Sequence, residues 1–554
     1  MKTLSRLFLG LVFCSAAALA ASGCTSLWVE NLSLLSPTAT PFRPPAFTST
    51  PTPSITDPPV MTPTPEVPSL WVDPGLPESF RDELGIPPGW IQTGSQEQAG
   101  AGLSPGERDV VSRWVYALAA PFPTLVENVP FEELQNAWRG KNTSVFPGSP
   151  LLMTESTRNM LAALWGEPDP ERVEVVSKTQ LQDRAWNTRP SWAVVAFDQL
   201  DPRWKVLALD GKSPLAEDFD LGGYPLVVPI SLEGERPEGM TYPETNRDPE
   251  RMTSVVMTGV TALVRATAYT MEQQGLTYPA EDLKRVLRRA DFTHISNEVP
   301  FVQGCPYPNP SQQGLVFCSD PRYIKLLEFV GTDVVELTGD HFGDWGPQAM
   351  LDTLALYRER EWPYYGGGAN LKEARKPVKI KHNGNWIAFV GCNAKGGGYA
   401  TAAPGYPGAA ACDFDFLTSQ IRELRREGYQ VIATFQHFEY YTYQAQPNQI
   451  RDARRVAEAG AVIVQGSQAH QPQAFQFTDG AFVHHGLGNL FFDQIYEIPP
   501  NTATAFIDRH IFYQGKHLST ELITIRFVDF ARARLMGAGE RQELLDRVFQ
   551  ASGW

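Results

Sequence analysis

Asp333-Val334-Val335-Glu336-Leu337-Thr338-Gly339-Asp340-His341-Phe342-Gly343-Asp344-Trp345-Gly346 is the stretch that decides how this chain reads. It opens as a short apolar strand over 333–337 and breaks at once into glycine, carboxylates and an imidazole. In an α/β sheet the ends of strands face a crevice, which is where such folds place their chemistry. Four more polar clusters stand in similar positions: Ser296-Asn297-Glu298 after the strand expected over 292–295, Gln436-His437-Phe438-Glu439 after 431–435, Gly466-Ser467-Gln468-Ala469-His470 after 461–464, and Gly488-Asn489. Singly, each has an ordinary explanation: a hydrogen-bonded histidine, a turn asparagine, or Asp344 capping a helix that begins near Pro347. Together they predict one shared site.

Between the clusters the pattern alternates strand and helix. Helices are expected over 280–289, 323–329, 350–360, 417–427 and 451–459, a strand over 255–257, and hairpins at Asn383-Gly384 and Gly480. This alternation predicts an α/β fold with mixed sheets. The polar segment 246–251 marks a boundary, so residues 251–554 form one domain and 70–250 a smaller α/β domain before it. In that smaller domain the spacing predicts a helix over 107–118 and strands over 192–197 and 224–229.

The chain of 554 residues carries a net charge of -15. That excludes nucleic-acid binding through general electrostatics, and a polyanion is repelled unless a basic groove or a metal ion intervenes. Lys2 and Arg6, the apolar run 7–20 and the small residues Ala21-Ser22-Gly23 before Cys24 form an export signal. It resembles the lipobox of bacterial lipoproteins, with Cys24 as the lipidated residue and residues 1–24 as the signal peptide. Ala21 stands where leucine is usual, and plain secretion is the alternative. Residues 25–69, rich in Pro and Thr, cannot bury a core and are expected to be a disordered tether. The expected location is therefore the extracytoplasmic face of a bacterial cell, held to the membrane by acyl chains. Cys305, Cys318, Cys392 and Cys412 suit an oxidising compartment, and Cys305–Cys318 with Cys392–Cys412 is the simplest of the three pairings. A zinc site is the rival reading, weakened by the lack of Cys-x-x-Cys spacing.

The ordered set of motifs from 253 to 492 resembles the CapA family, bacterial proteins linked to capsule and poly-gamma-glutamate synthesis. Asn297-Glu298 sits at the family's Asn-Leu-Glu motif, and 333–346 resembles its strand with Asn-Asn-His-x-x-Asp-Tyr-Gly. Gly366-Gly367-Gly368 is similar to its glycine-rich loop, and His437-Phe438-Glu439-Tyr440 to a shortened His-Trp-Gly-x-Glu-Tyr. Gly466-Ser467-Gln468-Ala469-His470 resembles Gly-His-x-Pro-His, and Gly488-Asn489 the closing Gly-Asn. The resemblance implies a calcineurin-like, metallophosphoesterase-type layered α/β/β/α sandwich. It implies a divalent metal (Mn, Mg, Fe or Zn), or none, with Glu298, Asp340, His341, His437 and His470 as ligands. His437, His470 and Glu439 would be the catalytic groups, and Asn297, Asn489 and Gln468 the substrate-binding ones. The chain departs from the family at Val260, which stands at the first aspartate and cannot bind metal, and at Gln468, which stands at the first histidine of a pair. The implied function is synthesis, anchoring or processing of an anionic cell-envelope polymer, which is also the expected partner. A metal-dependent phosphoesterase and a non-catalytic binding lipoprotein with a degenerate site are the alternatives. In the first region, 204–214 and Gly223-Tyr224-Pro225-Leu226 resemble a lobe of periplasmic phosphate-binding proteins.

Overall fold

Two β-sheets stacked face to face, each with helices on its outer side, build the part of the chain that carries the clusters. The computed structural model describes residues 67–554 except 147, 397, 399, 468 and 496–500. The export signal, Cys24, the Pro/Thr tether and Gln468 therefore lie outside the described residues. The described residues belong to one compact unit.

In the first sheet, Met252–Thr258, Phe292–Asn297, Val334–Glu336 and Tyr364–Tyr365 run parallel. On the other side of Met252–Thr258 the antiparallel strands Thr504–Tyr513, Lys516–Phe527 and Ala533–Leu535 complete it. The second sheet orders Val378–His382, Asn385–Asn393, Gln430–Gln436, Ala461–Gly466, Ala481–His484 and Phe475–Thr478 side by side. Met257, Phe389, Ile432, Phe482 and Phe506 fill the space between the sheets. Met271, Leu327, Met350 and Leu354, from the helices Arg265–Gln274, Ile324–Val330 and Gly346–Glu359, cover the outer face of the first sheet. The outer face of the second is covered by Phe414–Arg426 and Pro447–Glu458 through Leu417, Ile421, Leu424 and Val456. Those apolar positions recur at helical spacing, and each such side chain contributes about 1.5–3 kcal/mol on burial. The result is the α/β/β/α sandwich that the family resemblance implied, built from the mixed sheets that the strand–helix alternation predicted.

Residues 69–234 hold a ten-stranded sheet of their own. Its core continues into the sandwich: Met252, Ile511, Tyr513 and Leu518 belong to the same apolar cluster as Leu70, Val115 and Leu207. Phe122 meets Phe475, Phe482 and Phe549 edge-on.

Two sequence expectations are corrected, and one hairpin is added that the sequence reading did not anticipate. The helix expected over 107–118 is the strand Val110–Pro121, which pairs with Val227–Gly234, Trp192–Ala196 and Trp204–Leu209. Trp114 to Ala120 are all buried, and a run buried on both faces has no period by which to tell strand from helix. The helix expected over 280–289 is split into a 3-10 turn, Tyr278–Ala280, and the short helix Lys284–Arg289. The hairpin Thr504–Tyr513 and Lys516–Phe527 was not legible at all. Its turn is Gln514-Gly515, both at positive φ (50° and 73°), a geometry usually announced by Asn-Gly.

Both expected disulfides are present, Cys305–Cys318 and Cys392–Cys412. Among the described residues no helix is long and apolar enough to cross a membrane.

Candidate functional site

Glu298 leaves the end of Phe292–Asn297 and is fixed by its backbone N–H to the Thr261 carbonyl at 3.0 Å. Asp340 and His341 stand in a 3-10 turn, Asp340–Gly343, just after Val334–Glu336. Gly339 lets the two strand ends approach, since a Cβ there would lie 2.9 Å from the Glu298 Cα. Donor atoms of Glu298, Asp340 and His341 consequently fall within 4.8 Å of one another.

Each of these side chains is oriented by a neighbour. His341 Nδ1 lies 2.8 Å from Asp344 Oδ2, and that carboxylate also accepts the Phe317 backbone N–H at 2.8 Å. The network makes Nδ1 the donor, which leaves Nε2 as the ligating nitrogen. Burial alone would lower the His341 pKa; the Asp344 hydrogen bond and the Glu298 charge outweigh it and raise it to about 9. Burial pushes the Glu298 carboxyl up, against the pull of His470 and His341. On Asp340, burial is outweighed by the Lys395 ammonium, 2.5 Å from Oδ2, and its carboxyl is held below the ordinary range. Its Oδ1 accepts from Gln436 Nε2 at 2.7 Å, and Gln436 Oε1 in turn accepts from Asn393 Nδ2 at 2.7 Å.

On the opposite wall His470 donates from Nδ1 to Asn489 Oδ1 at 2.8 Å and stacks on Phe492. Its Nε2 is 3.8 Å from Glu439 Oε1, an ion-pair distance rather than a hydrogen bond. The His470 imidazolium, the largest influence on Glu439, helps bring that carboxyl down to about 2, and His470 itself is raised despite burial. Glu298, His341, Glu439, His470 and Arg265 line one cleft of about 650 Å³. Arg265, at φ 44°, is held there by Asp493 through Nη2 at 2.5 Å.

The structure thus brings together Glu298, Asp340, His341, Glu439 and His470 of the expected residues, and sets others apart. His437 is not in the cleft: its Nε2 lies 3.2 Å from Asp452 Oδ2, and its ring packs on Phe435. Strand alternation explains this. Phe435 and His437 point to the helix-covered face, and Gln436 between them points to the site. Asn297 is fully buried, its Nδ2 given to the Val299 carbonyl and the Tyr357 hydroxyl. Asn489 is likewise buried, between His470 and the Gln494 carbonyl. Both amides shape the walls and do not line the cleft. Val260 packs with Ala262, Val299 and Phe317 in a small apolar cluster.

Lys395, Gln436, Asp344 and Arg265 are the functional positions that sequence reading passed over. Asp344 was legible as the third residue after His341, at the spacing of a one-turn contact. Lys395 and Arg265 carried no signal, because their partners, Asp340 and Asp493, are 55 and 228 positions away.

Two carboxylates and an imidazole fit a divalent cation of the Mn, Mg, Fe or Zn kind, with the remaining coordination positions open to the cleft. The Glu298 carboxyl is buried, and burial disfavours its charge, which is the condition a bound cation relieves.

Residues 254–494 match the family model of the bacterial capsule synthesis protein PGA_cap. The chain is 24% identical over 278 residues to the capsule biosynthesis protein CapA of Bacillus anthracis, covering 49% of this chain and 67% of that one. It is 25% identical over 225 residues to the PGA biosynthesis protein CapA of Bacillus subtilis (strain 168), covering 40% of this chain and 59% of that one. Among solved structures, a 5'-nucleotidase precursor of Thermus thermophilus aligns with a TM-score of 0.34 and 16% identity, over 53% of this chain and 58% of that one.

Proposed function

We propose that this chain, whose residues 254–494 carry the capsule-synthesis PGA_cap match and resemble the CapA proteins, takes part in the synthesis, anchoring or processing of an anionic cell-envelope polymer such as poly-gamma-glutamate. The observation that carries this reading is the meeting of Glu298, Asp340 and His341 at the wall of an open cleft that also exposes Arg265, His470 and Glu439. Glu298, Asp340 and His341 Nε2 would hold a divalent cation, which supplies positive charge for a carboxylate or phosphoryl oxygen and acidifies a bound water. His470, charged beside Glu439, is placed to give a proton to a leaving group. Arg265 adds a fixed positive charge for the polymer's anionic groups.

Export through residues 1–24, a lipid anchor on Cys24 and the Pro/Thr tether would present this cleft outside the membrane, where such a polymer lies. Residues 70–250 would serve as a docking module at the base of the sandwich.

Deletion of the chain should lower surface polymer, wild type should restore it, and His341→Ala should not. Unchanged polymer on deletion overturns the reading. A metal-dependent phosphoesterase is the second reading, favoured by the same donor set. It requires phosphoester turnover with added Mn or Mg that falls in His470→Ala, and no turnover with any divalent metal removes it.

A further inference from the structure

Asp340 has no free oxygen. Gln436 donates to Oδ1 at 2.7 Å and the Lys395 ammonium sits 2.5 Å from Oδ2. The two donors differ in how easily they move. Gln436 is buried on a central strand and is held from behind by Asn393, itself buried and bonded to the Thr338 carbonyl at 2.9 Å. Lys395 follows the end of Asn385–Asn393, on a turn, with a flexible four-carbon stem. A second carboxylate waits for it: Glu439 Oε1 is 3.9 Å from Nζ, and the Phe438 ring lies beside the ammonium at 5.9 Å.

We propose that Lys395 is the resident cation of this cleft and determines its affinity for divalent metal. Lys395 holds Asp340 when no metal is bound, and gives up Oδ2 and moves to Glu439 when Glu298, Asp340 and His341 take one. The inference rests on the cation-site reading above and adds a competitor to it. Two cations on one carboxylate oxygen repel each other strongly in a partly buried site, so ammonium and metal are alternatives at Oδ2 and not companions. Without Lys395, Glu298, Asp340 and Glu439 would face one another with only the histidines and the Asp493-bound Arg265 to balance them, which explains why an unliganded cleft needs it. Glu439 then has a double duty, as counter-ion of His470 and as the seat to which Lys395 moves.

The test is calorimetric titration of the metal-free full chain with Mn2+ at constant pH, in wild type, Lys395→Met, Lys395→Arg, Glu439→Gln and the Lys395→Met/Glu439→Gln pair. Lys395→Met should bind Mn2+ about tenfold more tightly than wild type, in the range of ordinary site-to-site coupling. Lys395→Arg, which keeps a cation, should stay near wild type. Glu439→Gln should weaken binding when Lys395 is present and have little effect when it is Met, a non-additivity that reports the second seat. Lys395→Gln serves if Lys395→Met does not fold. Wild type that binds Mn2+ with Lys395→Met no tighter overturns the competition and leaves the cation site standing. Absence of binding in every variant overturns both.

Discussion

The Ser467 hydroxyl donates to Oε1 of Glu336 at 2.5 Å, joining two strand ends that are 131 positions apart in sequence. The same oxygen accepts from the Thr338 hydroxyl at 2.6 Å, and His294 Nε2 lies 3.3 Å from Oε2. Thr338 is two residues before Asp340 and Ser467 three before His470, so this fully buried carboxylate ties the two walls of the cleft together beneath its floor.

Ser467→Ala should therefore lower stability by about 1.5–3 kcal/mol, the usual contribution of a hydrogen bond to a charged group. Glu336→Ala should lower it by more, because the Thr338 and Ser467 hydroxyls would both lose their acceptor in a fully buried site. Urea unfolding of the two variants measures both.

His341 and His437 should part company in metal binding. Asp344→Asn loosens the orientation of His341 and should weaken Mn2+ affinity about 10- to 100-fold, as loss of a ligand's supporting partner ordinarily does. His437→Gln should leave that affinity within about twofold and lower stability by about 1–2 kcal/mol through the lost Asp452 contact. Titration with Mn2+ and unfolding on the same samples separate the two effects.

Acid should unfold this protein through imidazoles that do not line the cleft. Burial, the leading cause in each, brings His485 and His517 down to about 3 and His510 well below the ordinary histidine value. The unfolded chain takes up these protons near pH 6.5 and the folded chain does not. The contribution of these three groups is thus intact above 6.5 and is lost as pH drops from 6.5 toward 3, by at most about 4 kcal/mol per pH unit when all three contribute. The slope of the urea midpoint against pH measures this, and His485→Gln should flatten it by about a third.

Cys392→Ser combined with Cys412→Ser opens a loop spanning 20 positions, and should lower stability by about 3 kcal/mol on the chain-entropy account. Thermal unfolding with and without reductant tests it: reductant opens Cys305–Cys318 in both proteins, so wild type should shift further than the variant and end near it.

The sandwich layering came with the family resemblance; sequence reading found the α/β alternation because its parallel strands are short, apolar and bounded by polar clusters, Val334–Glu336 and Gln430–Gln436 among them. It chose the right clusters and sometimes the wrong member. Within Gln436-His437 the chemistry of imidazole drew attention to His437, whereas the pleat assigns the inward position to Gln436. Lys395 was illegible for a different reason: an isolated lysine beside glycines acquires its meaning only when Asp340 is folded against it. Val110–Pro121 failed because burial on both faces erases periodicity, and Lys516–Phe527 because the buried polar residues His517, Ser519, Thr520 and Thr524 interrupt any apolar alternation.

The pairing of Met252–Thr258 with Thr504–Tyr513 sets the order of assembly. The strand that begins the sandwich obtains its antiparallel neighbour from far along the chain, so the ribosome must pass Tyr513 before the first sheet can close. Such distant pairing makes for slow maturation and leaves a bare strand edge in the nascent polypeptide. A nonsense codon shortly before Thr504 would leave Glu298, Asp340, His341, Glu439 and His470 translated but without the strand that closes their sheet.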